Sequence, residues 1–403
     1  MITVSIDSLW FLLFLLAGPL FFTVSRTRLR AWVFLVASCG LYLLAMKSWK
    51  EVVGILIFLA VPGIYIVLSK KRSSVLWPFV VALTVIFVYL NGYTWLTGLL
   101  PGGGSHFFPR MLGLSYILFR QLDVMVHVRA GTVKDVRIVD YLNYLFSFYT
   151  VVAGPIQRFL GFVQSFQNAE PLTKKEDVLR EFHRAANGML KALVLGVLFK
   201  DISDNAFDKM VLHGGDIGSL LTILYCYPLF IYFNFSGYCD LVIALGRWAG
   251  FAIPENFRRP YMARNMIEFW NEWHITLSGW LRDFVYQPLF KFLLSGPLKR
   301  HLNAAQYGSI FVTFFVAGVW HGTTLNFVVF GVLHGLGMAL SMIYRDRMIR
   351  YLGKKGYKTY RDKKKVAFVE RLVTVNFVCF TFLFFEYNLS HMWSFILHSV
   401  GVS

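Results

Sequence analysis

The sequence predicts an all-α polytopic membrane protein, a bundle of about ten or eleven transmembrane helices in one domain, residues 1–403. Of its 403 residues, 57% are hydrophobic and only 15% are charged, whereas a soluble globular protein averages about 25% charged residues. Apolar stretches near the minimum length for a membrane span recur along the chain and are joined by short polar segments. Both features are typical of a chain that crosses a bilayer repeatedly.

Residues 1–110 contain four such stretches, at about 9–24, 31–46, 52–68 and 76–90. The first and third connections carry clusters of Arg or Lys, so the positive-inside rule places them in the cytoplasm and the N-terminus outside. No basic residue precedes the first stretch, and we expect a retained helix there and not a cleaved signal peptide. The net charge of +18 then belongs to loops near membrane lipids, and nucleic acid is not an expected partner.

Residues 111–344 keep polar groups where a helix exposed to lipid would not carry them. Arg120, Gln121 and Asp123 interrupt an apolar segment, which predicts that this helix faces protein or a water-filled cavity, unless Arg120 and Asp123 only pair with each other. The run from Asn234 to Asp240 predicts a break in a long helix. The stretch from Pro254 to Trp280 is too polar to span, and it predicts interfacial or re-entrant helices.

Residues 345–371 form the most basic part of the chain, with eleven Lys or Arg residues against three acids. We expect a basic cytoplasmic loop that rests on anionic lipid or receives an acidic partner. Residues 372–403 are apolar but interrupted by Glu386 and Asn388. They predict C-terminal helices, one span and a short second helix.

Two histidines, His321 and His334, lie in the apolar run from Val316 to Leu340, where an ionisable residue is a functional candidate. Burial keeps an imidazole neutral and able to act as a base, so His321, together with the more distant His274, is our candidate catalytic pair. On one continuous helix His334 would point about 220° away from His321, and we expect a structural role for it. Glycines beside His321 indicate close helix packing or a close approach of substrate.

Other chemistries lack their signatures here. The four cysteines are scattered without CxxC spacing, and a zinc site built from the histidines lacks a fitting carboxylate or thiolate, so no metal site is expected. The sequence contains no GxSxG elbow, Walker loop or HExxH motif. This argues against hydrolase, ATPase and metalloprotease functions.

A series of motifs resembles the membrane-bound O-acyltransferases, within them the bacterial branch of alginate O-acetylation and teichoic-acid D-alanyl transfer proteins. In order from Gly113 they are GLSYILFRQLD, VAGPIQRF, FSGYCD, PENFRRPY, FWNEWHITLSGWLRDFVY, and VAGVWHG with FGVLHG. The first two look like the teichoic-acid branch, whereas WHITLSGWLRDFVYQPL is closer to the alginate branch and then departs from it at PLFKF. The acyl group therefore stays open between acetyl and D-alanyl.

The resemblance implies a helical bundle around a central funnel, with a cytoplasmic cavity for an acyl thioester. It also implies that His321 matches the family's near-invariant histidine and that His274 holds the second position, where other branches carry asparagine. The same motifs contain our candidates for substrate binding, which are Asn271, Trp320 and Arg282.

We therefore expect an O-acyltransferase of the bacterial cell membrane. It would pass an acetyl or D-alanyl group from a cytoplasmic thioester, on an acyl carrier protein or coenzyme A, to a hydroxyl of an envelope polymer or partner protein outside. His321 would be the general base, and His274 would orient the acceptor or donate a hydrogen bond to the oxyanion. No tightly bound cofactor is expected. The alternatives are a transporter or flippase, or a scaffold subunit of an envelope-modification complex.

Overall fold

The structure is a computed structural model that describes residues 27–44, 46, 48–69, 76–92, 113–170, 172–213 and 216–387. Within these ranges every regular element is helical and no strand occurs. The α-helices are α1 Thr27–Leu44, α2 Trp49–Ser69, α3 Leu76–Asn91, α4 Leu114–Arg129, α5 Ile138–Phe146, α6 Phe159–Gln167, α7 Lys175–Met189, α8 Gly196–His213, α9 Ile217–Trp248, α10 Met266–Glu272, α11 Ile275–Leu281, α12 Gln287–Ser295, α13 Leu302–His321, α14 Leu325–Asp362 and α15 Lys364–Phe382. Short π-helical turns cover Leu190–Leu195 and Arg282–Tyr286, and 3₁₀ turns cover Pro260–Met262 and Leu383–Phe385.

The chain divides into two compact units. One consists of Ile2–Gly188 and Tyr238–Pro254, and the other of Met189–Gly237 and Glu255–Ser403. We call the first the N-terminal unit and the second the histidine unit, since His274, His321 and His334 all belong to it. The single domain predicted above, with its boundaries at 110, 344 and 371, stays a prediction.

In the N-terminal unit, buried polar contacts fix helix α4. Arg120 is 1% exposed, and its guanidinium donates to the carbonyl oxygens of Tyr144 and Leu145 at 2.7 and 2.8 Å. Asp123 accepts a hydrogen bond from the backbone N–H of Phe159 at 2.7 Å. Arg120 and Asp123 thus pair with other segments and not with each other, and α4 faces protein as the sequence predicts.

The histidine unit is built around an aromatic core. Phe230, Phe269, Trp270, Phe330 and Phe382 are each at most 4% exposed and belong to one apolar cluster. Helices α13 and α14 form a hairpin beside this core. Their closest approach lies at two glycines, because a Cβ added to Gly318 would lie 2.4 Å from the Cα of Gly331. The glycines near His321 therefore serve close helix packing.

Five helices among the described residues are long and apolar enough to cross a membrane: Trp49–Ser69, Ile217–Trp248, Leu302–His321, Leu325–Asp362 and Lys364–Phe385. Two shorter apolar helices, Leu29–Leu44 and Leu76–Asn91, accompany them. The expected ten or eleven spans are not confirmed by this number. The first apolar stretch, most of the segment from Asn91 to Pro109, and the chain beyond Tyr387 lie outside the described residues.

Helix α9 corrects one expectation, since it runs without a break through the segment from Asn234 to Asp240. Tyr238 and Asp240 find partners while the backbone stays helical. Asp240 accepts hydrogen bonds from the guanidinium of Arg184 on α7, at 3.1 and 3.2 Å. A helix has no reason to unwind when a neighbouring helix already satisfies its polar side chain.

Residues 345–371, expected as a loop, are mostly helical and belong to α14 and α15. The chain turns back at Gly353, whose φ of 71° lies in the left-handed region. The hydroxyl groups of Tyr344 and Tyr360 lie 3.1 Å apart, although these residues would be about 24 Å apart on a straight helix. Glycine adopts positive φ without strain, which is how this basic segment folds against itself.

Candidate active site

His321 is the last residue of α13. The helix ends there because Gly322 adopts extended backbone angles, with φ of −171° and ψ of 171°. The position of the ring is further set by the hairpin, since a Cβ on Gly322 would lie 2.0 Å from the ring of Phe327 at the start of α14. A half-buried imidazole thus sits at a helix end and not in the middle of a span.

Aromatic rings surround His321 on several sides. Its ring centroid lies 4.7 Å from Trp320, 5.1 Å from Phe385 and 5.9 Å from Phe330, each in an edge-to-face arrangement. Neither ring nitrogen forms a hydrogen bond with a residue that the structure describes. The imidazole is therefore oriented by packing, while its nitrogens stay available for a hydrogen bond from another molecule.

His274 precedes α11 and takes a left-handed backbone conformation, with φ of 44° and ψ of 52°. It is the one residue other than glycine with positive φ in the described part of the chain. Such a conformation costs roughly 1 kcal/mol or more for a residue with a side chain, and it persists where the surroundings hold it. Here the backbone N–H of Ile275 donates to the carbonyl oxygen of Asn256 at 3.0 Å.

The side chain of Asn256 reaches the same turn. Its Oδ1 accepts hydrogen bonds from the hydroxyl and the backbone N–H of Thr276, at 2.8 and 3.2 Å. Nδ1 of His274 lies 3.2 Å from the same oxygen. A backbone N–H can only donate, so this Asn256 atom is the carbonyl oxygen, and Nδ1 of His274 must carry the proton. In the neutral ring Nε2 is then an acceptor.

Burial controls the charge of His274, which is 3% exposed and lies outside the five candidate spans. Burial lowers the pKa of this imidazole well below its ordinary value, and the electrostatic effect of His321 lowers the pKa further. The second cause means that the two rings lie within electrostatic range of each other. A path of packed rings also joins them, because Phe382 contacts both Trp273, at 4.9 Å, and Phe330, at 6.1 Å.

His334 differs from the other two histidines because both of its nitrogens are occupied. Trp270 Nε1 donates to His334 Nδ1 at 3.1 Å, and His334 Nε2 lies 2.8 Å from Thr381 Oγ1. The Thr381 hydroxyl donates onward to the carbonyl oxygen of Val378, so it accepts from the histidine. His334 is 0% exposed, and its hydrogen bonds join α14 to α10 and α15. Its role is therefore structural.

The three candidates for substrate binding differ in their position relative to His274 and His321. Trp320 packs on the His321 ring. Asn271 is exposed on α10, and Arg282 is exposed in the π-helical turn, where it pairs with Asp283 at 3.0 Å. No contact among the described residues joins Asn271 or Arg282 to either histidine. Of the three candidates, the structure therefore places Trp320 against one of the two histidines.

The sequence did not indicate two residues of the site. Asn256, the partner of His274, lies in PENFRRPY, and nothing in that motif indicates which residue its amide contacts. Phe385 packs on His321 from the end of the chain's last described helix, and one of several phenylalanines in an apolar run carries no signal of its own. In the described part of the chain, no three His, Cys, Asp or Glu residues are grouped as a metal ion would require.

A helical protein with several membrane-crossing helices, and with two imidazole nitrogens that can accept a proton, belongs to the class of membrane-embedded proteins able to carry out acid–base chemistry. The sequence profile described as MBOAT, membrane-bound O-acyltransferase family, matches residues 72–360. That range is more than half of the chain. The chain belongs to the membrane-bound O-acyltransferase family.

Similar proteins include both kinds of transferase that the motifs resemble. A teichoic acid D-alanyltransferase of Streptococcus thermophilus is 29% identical over 303 residues, which are 72% of this chain and 71% of the relative. A teichoic acid D-alanyltransferase of Bacillus subtilis is 25% identical over 393 residues, which are 93% and 96% of the two chains. A Pseudomonas putida protein named "Probable alginate O-acetylase AlgI" is 31% identical over 273 residues, 67% of this chain and 52% of that protein. The family and these relatives identify the chain as a membrane-bound acyltransferase.

Proposed function

We propose that this protein transfers an acetyl or D-alanyl group from a thioester donor on the cytoplasmic side of a bacterial cell membrane to a hydroxyl at the outer face. The hydroxyl belongs to a cell-envelope polymer or to a partner protein that modifies one. The observation that carries the proposal is the pair of imidazole acceptors: His321, half-buried with no hydrogen-bond partner among the described residues, and the buried His274 within its electrostatic range.

Transfer of an acyl group from a thioester to a hydroxyl requires one general base. The hydroxyl oxygen attacks the thioester carbonyl carbon, and the hydroxyl proton passes to His321 as the new C–O bond forms. The tetrahedral intermediate then collapses, the C–S bond breaks, and the imidazolium returns its proton to the departing thiolate. The products are an ester and a thiol, and His321 is neutral again.

The protonation state of His274 favours one of its two expected roles. Its Nδ1–H is directed to Asn256, and its neutral Nε2 can accept but not donate a hydrogen bond. Donation to an oxyanion would require a second proton, which burial opposes. We therefore assign His274 to orienting the acceptor hydroxyl. Its Nε2 accepts a hydrogen bond from that hydroxyl, and the proton then passes to His321.

The donor would be the phosphopantetheine of an acyl carrier protein or coenzyme A, and no tightly bound cofactor is part of the proposal. A carrier protein with an acidic surface would find a basic docking surface in Lys354, Lys355 and Lys358, which are all exposed. The partner on the other side is the acyl-accepting polymer or protein.

The test is transfer by the purified protein reconstituted in sealed vesicles. Acetyl and D-alanyl thioesters are supplied separately, each on a carrier protein and on coenzyme A, and a soluble hydroxyl acceptor is placed on the opposite side. We expect acylated acceptor with one of the two acyl groups, and none when donor and acceptor exchange sides. Transfer that proceeds equally from both sides would contradict the proposed direction, and vesicles that transport intact donor without esterifying the acceptor would contradict the proposed reaction.

A further inference from the structure

A second site of the histidine unit is a cavity of about 740 Å³ whose lining includes neither His274 nor His321. It lies between α10, α14 and α15, at the level of α14 where the apolar span gives way to basic residues. Its size falls in the usual range for cavities that hold a small molecule. Four cations line it, Arg264, Arg345, Arg361 and Lys365, against two carboxylates.

The carboxylates hold two of these cations in place. Glu370 accepts from Arg264 at 2.7 Å and from Arg361 at 3.4 Å, and Glu268 accepts from Arg361 at 2.8 Å. Lys365 is exposed and forms no ion pair with any residue in the described ranges. Arg345 pairs with Asp346, which lies outside the lining, at 3.0 Å. Lys365 therefore supplies the positive charge of the lining that no described carboxylate neutralises.

One N–H group of Arg361 has no acceptor. Its Nε–H is buried and has no hydrogen-bond partner among the residues that the structure describes. Leaving a buried charged donor unsatisfied is expensive, about 1–3 kcal/mol or more. An anionic oxygen in the cavity would satisfy this donor, and phosphate is the anion whose geometry a guanidinium matches well.

One wall of the cavity is apolar and exposed. Leu340 on α14 and Val373 on α15 line the cavity and are 62% and 63% exposed. Both belong to candidate membrane spans, so their exposed surface would contact lipid chains. Tyr344 and Tyr357 also line the cavity, and tyrosine is favoured at a membrane interface.

We infer that this cavity binds one molecule of an anionic phospholipid. The phosphate contacts Arg361 and Lys365, and one acyl chain lies along Leu340 and Val373. A cavity with a cationic end and an apolar wall open to the bilayer matches a charged headgroup followed by a hydrocarbon chain. A phosphopantetheine arm shares the phosphate but lacks the hydrocarbon chain that the apolar wall would cover.

Native mass spectrometry of the full chain in a neutral detergent tests the inference. The probes are phosphatidylglycerol, phosphatidylcholine and coenzyme A, and binding is measured without acyl transfer, so the result does not depend on the proposed reaction. We expect one phosphatidylglycerol per protein, bound more tightly than phosphatidylcholine. Lys365→Gln should weaken this binding about fivefold, the value of one basic residue near a headgroup.

Lys364→Gln is the matched control, because Lys364 is also exposed in the first turn of α15 but does not line the cavity. It should change the affinity less than twofold. Arg361→Lys, which keeps the charge and removes Nε–H, should also weaken binding. Equal losses in the Lys364 and Lys365 variants, equal binding of the two lipids, or displacement of phosphatidylglycerol by coenzyme A would each overturn the inference.

Discussion

Oδ1 of Asn256 lies 3.2 Å from Nδ1 of His274, and the same oxygen accepts the backbone N–H and hydroxyl of Thr276. This arrangement fixes the proton on Nδ1 and leaves Nε2 as the nitrogen that can meet a substrate. Asn256 is therefore a positioning residue, which acts on the reaction through the histidine. Its replacement should alter the titration of the site as well as its stability.

Asn256→Asp should move the acidic limb of the activity profile to higher pH. A carboxylate beside Nδ1–H stabilises the charged imidazole and raises the pKa of His274, which burial otherwise depresses. Since the proposed role needs a neutral ring, activity falls as pH drops through that pKa, and the fall begins at a higher pH in the variant. The measurement is kcat against pH. An unshifted limb would mean that Asn256 has only a structural role.

His321→Ala should abolish acyl transfer while leaving the fold intact. Loss of a general base lowers kcat by about 10²–10⁴-fold, whereas the ring forms no hydrogen bond with the described residues and is only half-buried. The readouts are transfer in vesicles, donor binding, and the midpoint of thermal unfolding. Retained transfer in the folded variant would eliminate His321 as the base.

His334→Ala is the matched control for that experiment and should behave in the opposite way. Removing the ring leaves Trp270 Nε1 and Thr381 Oγ1 without their partner inside the core. We expect a loss of about 2–5 kcal/mol in the free energy of unfolding, from the cavity and the unsatisfied donor together. Transfer per folded molecule should change much less than in His321→Ala.

His274→Asn should remove the acceptor nitrogen and keep the turn. Asparagine tolerates the left-handed backbone found at this position, and its short amide can replace Nδ1–H but does not extend to the position of Nε2. Transfer should fall about 10²-fold with an almost unchanged unfolding midpoint. His274→Ala should lose the same activity and, in addition, roughly 1 kcal/mol of stability from backbone strain. Full activity in His274→Asn would rule out the orienting role.

Comparing the wild type with His274→Asn also tests how stability depends on pH. The unfolded chain protonates His274 below its ordinary pKa of 6.5, while the buried ring resists protonation. The unfolded state therefore binds more protons, and wild-type stability falls as the pH decreases below 6.5. His274→Asn lacks this contribution, so its unfolding midpoint should rise relative to wild type in acid. A constant difference across the pH range would contradict the burial of a neutral imidazole.

Gly353→Ala should destabilise the basic segment without any steric clash. A Cβ at this position meets no atom within 4 Å, but the φ of 71° is unfavourable for alanine by about 1–2 kcal/mol. Gly308→Ala is the control, since it also meets nothing within 4 Å and lies inside helix α13. Proteolysis near residue 353 should accelerate in the first variant only. Equal effects would mean that the turn does not require glycine.

Reversing the charge of Lys354, Lys355 and Lys358 to Glu should raise KM for an acyl carrier protein about tenfold and make it less salt-sensitive. These exposed residues do not line the lipid cavity. Reversal of Lys134, Lys174 and Lys175, exposed in the N-terminal unit, makes the same change in net charge and should leave KM unchanged. An unaltered KM in the first triple variant would exclude this docking surface.

Composition and local pattern determined much of this protein. Its charge content and apolar stretches predicted helices and a membrane location, because backbone groups in lipid must be satisfied within the segment. The polar residues of α4 predicted a helix facing protein, since unpaired polar groups at that depth are costly. These predictions depend on interactions that are short-range in sequence. The angle of about 220° between His321 and His334 assumed one continuous helix, whereas α13 ends at His321 and His334 lies on α14, so that angle did not decide their roles.

Tertiary structure decided the partners. Asp240 pairs with Arg184, so α9 continues where its sequence indicated a break. Gly353 turns a predicted loop into helices that fold back on each other. Above all, Asn256 determines which nitrogen of His274 can accept a proton, and these two residues are separated along the chain by a turn and a helix. Hydrogen-bond partners of this kind follow from where packing places each backbone, and no periodicity or spacing in a single sequence encodes that placement.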